Sequence, residues 1–298
     1  MENSDTKYAA DAVLRLDEAL DREVQAVLPE APPSWAPEYL RLSWALRRSP
    51  SQAFPWARSL RILAVPYAVM PQMPLPRAEN PELTGLVSGY AARRDYHRFT
   101  LPLPSSCRSE IVIDTKPLAE KTLAAIAGIG SIGRNNCLLL PDADAGNFLV
   151  SILTEEELPE RRYPQTDYCL HCGNCGELTE PRYCISTLTM EKRGELSPAE
   201  RQMLNGRIFG CSICTSACPG TVLPPDFELD LEWLLTASAK DVERTIRETP
   251  MNYAGVTLLR RNALYVLANR NTDRCRELIR RFAKTTGSAF LRTVCAAL

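Results

Sequence analysis

Seven of the eleven cysteines lie between residues 169 and 218, at short fixed spacings that restrict the fold more than any other feature of the sequence. In order they are Cys169-x2-Cys172-x2-Cys175, then Cys184, then Cys211-x2-Cys214-x3-Cys218-Pro219. A spacing of two residues lets successive thiolates reach one metal cluster from a single tight turn, and a final Cys-Pro is typical of bacterial ferredoxins. Cysteine, glycine and proline replace apolar periodicity in this region, so we expect bound metal to stabilise it.

In a two-cluster ferredoxin, the cysteine that precedes proline ligates the cluster of the other run. This rule predicts one 4Fe–4S cluster held by Cys169, Cys172, Cys175 and Cys218. The other three cysteines, Cys184, Cys211 and Cys214, are then predicted to approach a second cluster. Zinc is the alternative, because four-cysteine zinc sites also use pairs two residues apart. The triplet and the final Cys-Pro favour iron–sulfur.

The rest of the composition is that of an ordinary soluble globular protein, with 45% apolar and 24% charged residues among 298. No apolar run approaches the length of about 18 residues that a membrane span needs, and no secretory signal is visible. We therefore expect a cytoplasmic protein whose cysteines are ligands rather than disulfides. The cysteines that are isolated in sequence are interpreted as small buried apolar side chains: Cys107, Cys137, Cys275 and Cys295.

Charge is distributed unevenly along the chain. Residues 251–298 carry nine Arg and Lys but two Asp and Glu, which leaves 26 basic and 34 acidic residues before them. A basic tail on an acidic body is typical of proteins that bind a polyanion. The alternative is a solvated helix face without a partner.

The apolar pattern predicts an α+β fold in three parts: a mixed α/β domain over residues 1–160, a ferredoxin-like iron–sulfur domain over 161–225 and a basic helical segment over 226–298. A surface helix is predicted over 8–28, and buried strands over 60–65, 110–113, 137–140 and 148–153. A further helix is predicted to begin at Asp114 or Thr115 and to end at Gly128 as its C′ glycine. A pair of antiparallel helices is predicted near the C-terminus.

Several motifs outside the cysteine spacings agree in order with one family. They are Arg94-Asp95-Tyr96-His97, Val112-Ile113-Asp114-Thr115, Gly128-Ile129-Gly130-x2-Gly133-Arg134-Asn135, Arg182-Tyr183-Cys184-Ile185-Ser186 and Arg260-Arg261-Asn262. With the cysteine runs, these motifs resemble the epoxyqueuosine reductases, cobalamin-dependent enzymes of the last step of queuosine synthesis on tRNA. The resemblance covers roughly residues 55 to 270.

The resemblance implies roles for particular residues. Asp114 matches the proton donor, and Tyr96 and His97 are secondary candidates for proton relay. The implied cobalamin contacts are Leu138, Leu149, Ser186, Cys211 and Ser212, while Arg193 matches a tRNA-contacting position. The implied architecture is a cobalamin-binding α/β domain, a two-cluster domain inserted in it or following it, and a short HEAT-like helical segment. An external donor such as ferredoxin or flavodoxin would supply electrons.

Without the resemblance, Asp114 is more simply interpreted as an N-cap. Gly128 and Gly130 mark a turn where a planar ligand could approach the backbone closely, although a helix C-cap also explains the first of them.

The chain departs from the family pattern in three places, one of which is Ser131 in the glycine turn, where an aromatic residue is usual. The family carries an eighth cysteine between the positions of Cys175 and Cys184, where this chain has a shorter segment without one. We therefore expect the second cluster to be incompletely ligated by cysteine, with Glu177, Glu180 or solvent in the fourth position. The long helical-repeat domain of larger members is also missing, so tRNA is expected to bind the basic C-terminal helices, with Arg260 or Arg261 free for a phosphate or an ion pair.

Two other functions remain open from the sequence. One is a related cobalamin-dependent reductase that acts on a small molecule such as an organohalide. The other is a two-cluster electron-transfer protein without catalytic activity, which would leave Asp114 and the glycine turn without a role.

Overall fold

The computed structural model describes residues 8–34, 36–176 and 184–298, which form two compact units. The first unit takes its described residues from Met1–Val69, Tyr96–Thr179 and Ile213–Leu223, and the second from Met70–Asp95, Glu180–Ser212 and Pro224–Leu298. Each unit therefore combines segments that the sequence assigns to different domains. No helix in these described residues is long and apolar enough to cross a bilayer.

The first unit is built on a four-stranded antiparallel sheet. Its strands, in spatial order, are β1 (Ala10–Arg15), β2 (Ser59–Pro66), β7 (Asn147–Thr154) and β4 (Ser109–Val112). The central strands β2 and β7 are buried over most of their length, which fits the continuous apolar runs that predicted them. Helices α1 (Glu18–Val27) and α5 (Glu120–Ile126) contribute Leu20 and Leu123 to the same apolar core.

Shorter elements complete this unit. The antiparallel hairpin of β5 (Ser131–Ile132) and β6 (Leu138–Leu139) follows α5. Strand β6 lies within the segment predicted as a strand over 137–140, whereas β5 was not predicted. The short helices are α2 (Glu38–Leu42), α3 (Trp44–Arg48), α4 (Pro50–Ala53) and α7 (Ile213–Ser216).

Two predicted helices of the first unit were wrong at their beginnings. Residues 10–15 form the strand β1 rather than a helix, because Ala12, Val13 and Leu14 are all buried and pair with β2. Helix α5 begins at Glu120 after the N-cap Ala119, so Asp114 caps no helix. The predicted end is confirmed, since Gly128 follows the last helical turn with φ +75°.

The second unit combines a small sheet with a layer of helices. Strand β3 (Thr84–Val87) lies between β8 (Arg207–Phe209), which is parallel to it, and β9 (Phe227–Asp230), which is antiparallel. The helices are α6 (Pro198–Met203), α8 (Leu231–Thr236), α9 (Ala239–Ile246), α10 (Gly255–Arg270), α11 (Asp273–Thr285) and α12 (Ala289–Ala296).

Helix α10 is the centre of this layer and contacts α8, α11, α12 and strand β8. It ends at Asn271, which has a left-handed φ of +55°, and Thr272 then caps α11 by accepting the backbone N–H of Cys275. The predicted pair of C-terminal helices is confirmed by α10 and α11.

Candidate functional site

One pocket of the first unit is lined by the cysteines of the predicted first cluster: Cys169, Cys172, Cys175 and Cys218. About 350 Å³ of space not filled by atoms lies within this pocket, part of it open solvent. Burial raises the pKa of Cys218, and the three other thiols raise it further, because a second negative charge nearby is unfavourable. Among the described residues, no three Cys, His, Asp or Glu side chains converge as the ligands of a single metal ion do. The four soft thiol donors fit an iron–sulfur cluster.

Asp167 organises the loop that carries the cysteine triplet. Its carboxylate accepts the backbone N–H of Cys169 at 2.9 Å and pairs with the imidazole Nε2 of His171 at 2.8 Å. These two contacts hold the pKa of Asp167 below its usual range, the backbone N–H contributing most. His171 and Gly173 have positive φ values of +48° and +75°, which bend the loop so that its cysteines line one pocket.

Asn135, from the Gly-rich motif, ties the β5–β6 hairpin to the second cysteine run. Its amide Nδ2 donates to the carbonyl of Cys214 at 3.2 Å and to the Sγ of Cys218 at 3.5 Å. Its Oδ1 accepts the backbone N–H of Cys137 at 3.1 Å. Hydrogen bonds to cluster sulfurs are one determinant of reduction potential, so this amide can tune a cluster bound through Cys218.

Asp114 lies in the loop after β4 with φ +53°, a left-handed conformation that few residues other than glycine adopt. Its side chain remains accessible to solvent, but the surrounding protein raises its pKa by desolvation, against the smaller opposing effects of His97 and Arg47. A carboxyl group with a raised pKa keeps its proton nearer to neutral pH and can act as a general acid.

Glu120, at the first position of α5, is the partner of Asp114. Its Oε2 accepts the backbone N–H of Asp114 at 2.9 Å, which fixes the strained loop. Desolvation raises the pKa of Glu120 to about 8, and the charge of Asp114 raises it as well. The Asp114 N–H, the Ser151 hydroxyl and Arg47 oppose this shift. Two carboxyl groups with raised pKa values are thus adjacent at the predicted proton donor.

The structure also brings the secondary candidates Tyr96 and His97 to this place. Their rings stack with centroids 4.1 Å apart, and the Tyr96 ring packs against Phe148 at 5.4 Å. His97 is close enough to lower the pKa of Asp114. Phe148 lies on β7 and extends this group of aromatic rings.

Leu138 and Leu149, the implied cobalamin contacts of the first unit, are partly buried and pack against its core. They are apolar side chains at the edge of the core that retain accessible surface, which fits contact with a large ring system. The glycine turn has an internal explanation. A Cβ at Gly128 would meet the carbonyl of Tyr163 at 2.2 Å, and one at Gly130 would meet the carbonyl of Leu139 at 2.4 Å.

The second unit holds the other implied contacts, Ser186, Cys211 and Ser212. The Ser186 hydroxyl donates to the carbonyl of Cys211 at 3.5 Å, and Ser212 contacts Asp226 at the same distance. Ser186 immediately precedes a π-helical turn, Thr187–Glu191, a distortion that often marks functional sites. Cys184 and Cys211, predicted ligands of the second cluster, both belong to this unit and are half-buried.

Arg193 is exposed in the second unit and has an aromatic neighbour. Its guanidinium lies 5.5 Å from the centroid of the Tyr253 ring and donates to the carbonyl of Ala254 at 3.1 Å. Tyr253 is 52% exposed, so a cation and an aromatic face are accessible side by side. Such a pair can bind both a phosphate and a base.

The prediction that Arg260 or Arg261 is free was wrong. Arg261 is fully buried and donates to the carbonyls of Leu188, Lys192 and Gly194. Arg260 donates to the carbonyls of Leu234 and Ala237. Both stabilise the helical layer because buried carbonyl oxygens need donors.

Several other arginines of the basic tail form ion pairs within the chain. Arg281 and Arg274 lie 2.5 and 3.9 Å from Glu232, and Arg276 lies 2.5 Å from Asp273.

Sequence reasoning missed Glu120 and Asn135. In the sequence, Glu120 looks like an ordinary glutamate in the first turn of a helix. Its contact with the backbone N–H of Asp114 depends on the conformation of the loop that precedes the helix. Asn135 belongs to a motif that was noted, but its contact with Cys218 spans 83 residues. Cys137 was interpreted as buried; it is half-buried, as are Cys107 and Cys295, and among the four isolated cysteines the fully buried one is Cys275.

Comparison with known proteins gives one consistent result. No protein-family model matches the chain. An epoxyqueuosine reductase from Gloeobacter violaceus is 30% identical over 256 residues, which cover 73% of this chain and 78% of that protein. Relatives of the same name from Synechococcus sp., Shewanella oneidensis and Pseudomonas aeruginosa are 29–33% identical, but the match spans 41% to 62% of their length. In a relative from Synechocystis sp., 29% identical, it spans 86%.

Solved structures share the fold. The epoxyqueuosine reductase of Streptococcus thermophilus superposes with a TM-score of 0.74 at 20% identity, over 97% of this chain and 85% of that one. A crystal structure of epoxyqueuosine reductase with an epoxyqueuosine-modified tRNA-Tyr stem loop has a TM-score of 0.72 at 19% identity, over 98% of this chain and 85% of that one. The predicted mixed α/β class is therefore confirmed.

Proposed function

Because the chain belongs to the epoxyqueuosine reductase family, we propose that it reduces epoxyqueuosine to queuosine in tRNA with two iron–sulfur clusters and cobalamin. The observation that carries this proposal is the Asp114 site. An accessible carboxyl with a raised pKa lies in a family motif, is fixed by a second carboxyl and has an aromatic surface beside it. A simple electron carrier has no use for such a group.

The clusters are assigned to the cysteine-rich region, residues 161–225. Cys169, Cys172, Cys175 and Cys218 would hold the first, because their thiols line one pocket. Cys184, Cys211 and Cys214 would approach the second. Glu177 and Glu180, considered for its fourth position, lie outside the described residues. The chemistry that both supply is transfer of single electrons from an external donor such as ferredoxin or flavodoxin.

Cobalamin is assigned to the α/β part within residues 1–160, together with Ser186, Cys211 and Ser212. Leu138 and Leu149 offer accessible apolar surface at the edge of the core, so the residues of the first unit fit a large ring system. When bound, cobalamin would supply the electron density that reduces the epoxide carbon. The two histidines of the chain, His97 and His171, have other neighbours, Tyr96 and Asp167 respectively.

The protein's own contribution is the proton. Removal of the epoxide oxygen as water consumes two electrons and two protons, and the C–O bond breaks more easily when the leaving oxygen is protonated. Asp114 would donate to that oxygen, since desolvation keeps its carboxyl protonated to a higher pH than usual. Glu120 would orient Asp114 through the N–H bond and hold a further proton, while Tyr96 and His97 form an alternative relay.

Binding of tRNA is assigned to exposed cations of the second unit. Arg193 and Tyr253 offer a charge for phosphate and a ring for stacking. The basic helices of residues 226–298 add exposed charge through Arg280, whose side chain is 66% accessible. Phosphate contacts position the nucleic acid, so recognition of the modified base would occur beside Asp114.

Two binding experiments separate this function from the alternatives. Anaerobically purified protein should take up one cobalamin per chain and should bind a tRNA anticodon stem loop in a salt-dependent manner. Cobalamin uptake without tRNA binding would favour the small-molecule reductase. Iron without cobalamin uptake would favour the electron carrier, and tightly bound zinc without iron would contradict the proposal entirely.

A further inference from the structure

We propose that Arg47, on α3, is a positioning residue for the proton donor, which fixes the loop between Asp114 and Glu120 and places a permanent positive charge beside both carboxyls. This role rests on the proposed function, because it presupposes that these two groups, the acid pair, supply the proton. The sequence motifs assign no role to Arg47. It lies in the first unit, as do both members of the acid pair.

The first observation is a hydrogen bond from Arg47 to the loop between the two carboxyls. Its guanidinium Nη1 donates to the carbonyl of Leu118 at 2.9 Å. The Leu118 side chain is buried in the core, and its backbone N–H donates to the carbonyl of Lys116 at 2.7 Å. Asp114 precedes Leu118 by four residues and Glu120 follows it by two, so this bond anchors the loop whose conformation brings the acid pair together.

The second observation is that Arg47 is itself held in place. Its Nε donates to the hydroxyl of Ser43 at 3.1 Å, and that hydroxyl donates to the carbonyl of Tyr39 at 2.8 Å. The helix that carries Arg47 is fixed by Trp44, which is buried and whose indole N–H donates to the carbonyl of Pro29 at 3.0 Å. A guanidinium with two of its nitrogens bonded keeps one orientation, so its charge has a defined position relative to the loop.

The third observation is the effect of the Arg47 charge on the acid pair. Desolvation is the largest effect at both carboxyls, and it raises the pKa of each. At Asp114, His97 and Arg47 oppose that shift in pKa. At Glu120, the charge of Asp114 raises the pKa further, while the Asp114 N–H, the Ser151 hydroxyl and Arg47 lower it. Arg47 therefore acts on both carboxyls, and its guanidinium stays charged over the whole pH range in which they titrate.

The lysines of the same segment have other partners. Lys116 forms an ion pair with Glu110 on β4, which neutralises its charge. The ammonium of Lys121 is directed towards the β5–β6 loop, where it donates to the carbonyl and to the side-chain oxygen of Asn136, both at 2.7 Å. The groups that Arg47 bonds, a carbonyl and a hydroxyl, are neutral, so its full charge acts on the acid pair.

The charge matters when the proton leaves. As Asp114 gives its proton to the leaving oxygen of the epoxide, the O–H bond of the carboxyl breaks and its electron pair stays on the carboxylate. A negative charge then forms in a partly desolvated place. A cation that is already in position stabilises the transition state in which this charge develops, without any reorganisation. Arg47 therefore speeds proton donation although it lowers the pKa of the donor.

The test compares Arg47→Met with wild type in the full chain, loaded anaerobically with iron, sulfide and cobalamin. The infrared band of a protonated carboxyl that is absent from Glu120→Gln reports on Glu120. Its titration in wild type should have a midpoint near pH 8. In Arg47→Met the midpoint should move to higher pH, because the cation that favours the carboxylate is gone. Turnover at low pH should fall by about tenfold or more, because the anchor and the charge are both lost.

Two further variants separate charge from bulk. Arg47→Lys keeps the charge, so it should retain the wild-type midpoint and restore most of the turnover. Arg41→Met makes the same substitution as Arg47→Met at an exposed arginine of α2, and it should match wild type in both measurements. If Arg47→Met does not fold, as judged by its iron and cobalamin content, Arg47→Gln is measured in its place by the same criteria.

An unchanged midpoint in Arg47→Met would overturn the proposal. So would a midpoint at lower pH, which is the result expected if the loop merely loosens and the carboxyls gain water. Equal midpoints in Arg47→Lys and Arg47→Met, or wild-type turnover of Arg47→Met at low pH, would also contradict it. Loaded wild type that leaves epoxyqueuosine unreduced would contradict the proposed function instead, while the infrared midpoints would still test the charge of Arg47.

Discussion

At the scale of single residues, the strained backbone of Asp114 is the most informative feature of the site. Its φ of +53° is unfavourable for a residue with a Cβ, and the hydrogen bond from its N–H to Glu120 offsets that strain. The same arrangement keeps two carboxyls adjacent in a partly desolvated place, which favours their protonated forms. Position and protonation of the acid therefore have one structural cause.

Asp114→Asn should reduce turnover by about two to four orders of magnitude, the usual contribution of a general acid. Asparagine tolerates left-handed φ as well as aspartate does, so the loop should keep its shape. The measurement is the rate of epoxyqueuosine reduction, with iron content and cobalamin binding as controls that should not change. Undiminished turnover would show that Asp114 has a purely structural role.

Glu120 should reveal its two contributions through two substitutions. Glu120→Gln keeps an acceptor for the Asp114 N–H but cannot hold a proton, whereas Glu120→Ala removes both. In wild type we expect turnover to fall as pH rises through about 8, where Glu120 loses its proton. In Glu120→Gln the fall should begin at lower pH, because Asp114 then holds the proton alone.

The alanine variant should also lose turnover at all pH values, by about tenfold or more, since the acid is no longer held in position. Identical pH–rate profiles for wild type and Glu120→Gln would exclude a proton-holding role. Equal turnover of the alanine and glutamine variants at low pH would exclude a positioning role.

At the scale of elements, Arg261 fixes helix α10 to the π-helical turn that follows Ser186. Its guanidinium donates to the carbonyls of Leu188 and Gly194 at 2.7 Å, and burial lowers its pKa to about 10, so it remains charged at neutral pH. Arg261→Met should lower the free energy of unfolding by about 3 kcal/mol or more, because each carbonyl left without a donor costs about 1–3 kcal/mol.

The matched control for Arg261 is Arg280→Met on α11. Arg280 is exposed and its partner Glu277 is 3.7 Å away, so the change should stay within about 0.5 kcal/mol. Denaturant titration measures the change in the free energy of unfolding for each variant. Equal effects of the two substitutions would show that the buried hydrogen bonds of Arg261 contribute little.

The elements show what local pattern can and cannot predict. Strands β2 and β7 were predicted from continuous apolar runs, and helices α10 and α11 from apolar residues at helical spacing. Strand β1 was taken for a helix because Val13, Leu16 and Leu20 have helical spacing, although the chain changes from strand to helix between them. The start of α5 was misplaced because Asp114 and Thr115 have the chemistry of a cap, while Glu120 holds Asp114 in a loop.

The site divides in the same way. The four cysteines of the first pocket could be grouped from spacing alone, since a tight turn brings the triplet together and Cys218 follows a known rule. The contact of Asn135 with Cys218 and the pairing of Asp114 with Glu120 depend on how the loops fold, so the spacing of residues in the sequence could not predict them.

At the scale of the whole molecule, charge is the property most relevant to tRNA. The net charge is −1, and several arginines of the basic tail form hydrogen bonds or ion pairs within the chain: Arg260, Arg261 and Arg281. Local cations therefore have to attract the nucleic acid.

Arg193→Glu should weaken stem-loop binding and reduce the slope of log affinity against log salt by about one. Arg244→Glu, at a residue that is 74% exposed and pairs with Asp241, is the control and should change neither. Equal salt slopes for the two variants would show that Arg193 makes no contact with a tRNA phosphate.

The central claim is that this chain removes the epoxide oxygen from a tRNA-borne base. The most direct measurement is anaerobic incubation of the cluster- and cobalamin-loaded protein with an epoxyqueuosine-containing anticodon stem loop and a low-potential reductant, followed by mass spectrometry of the released nucleosides. The account predicts conversion of epoxyqueuosine to queuosine with loss of one oxygen atom, abolished or strongly slowed in Asp114→Asn. Fully loaded protein that binds the stem loop and leaves the epoxide intact would contradict it.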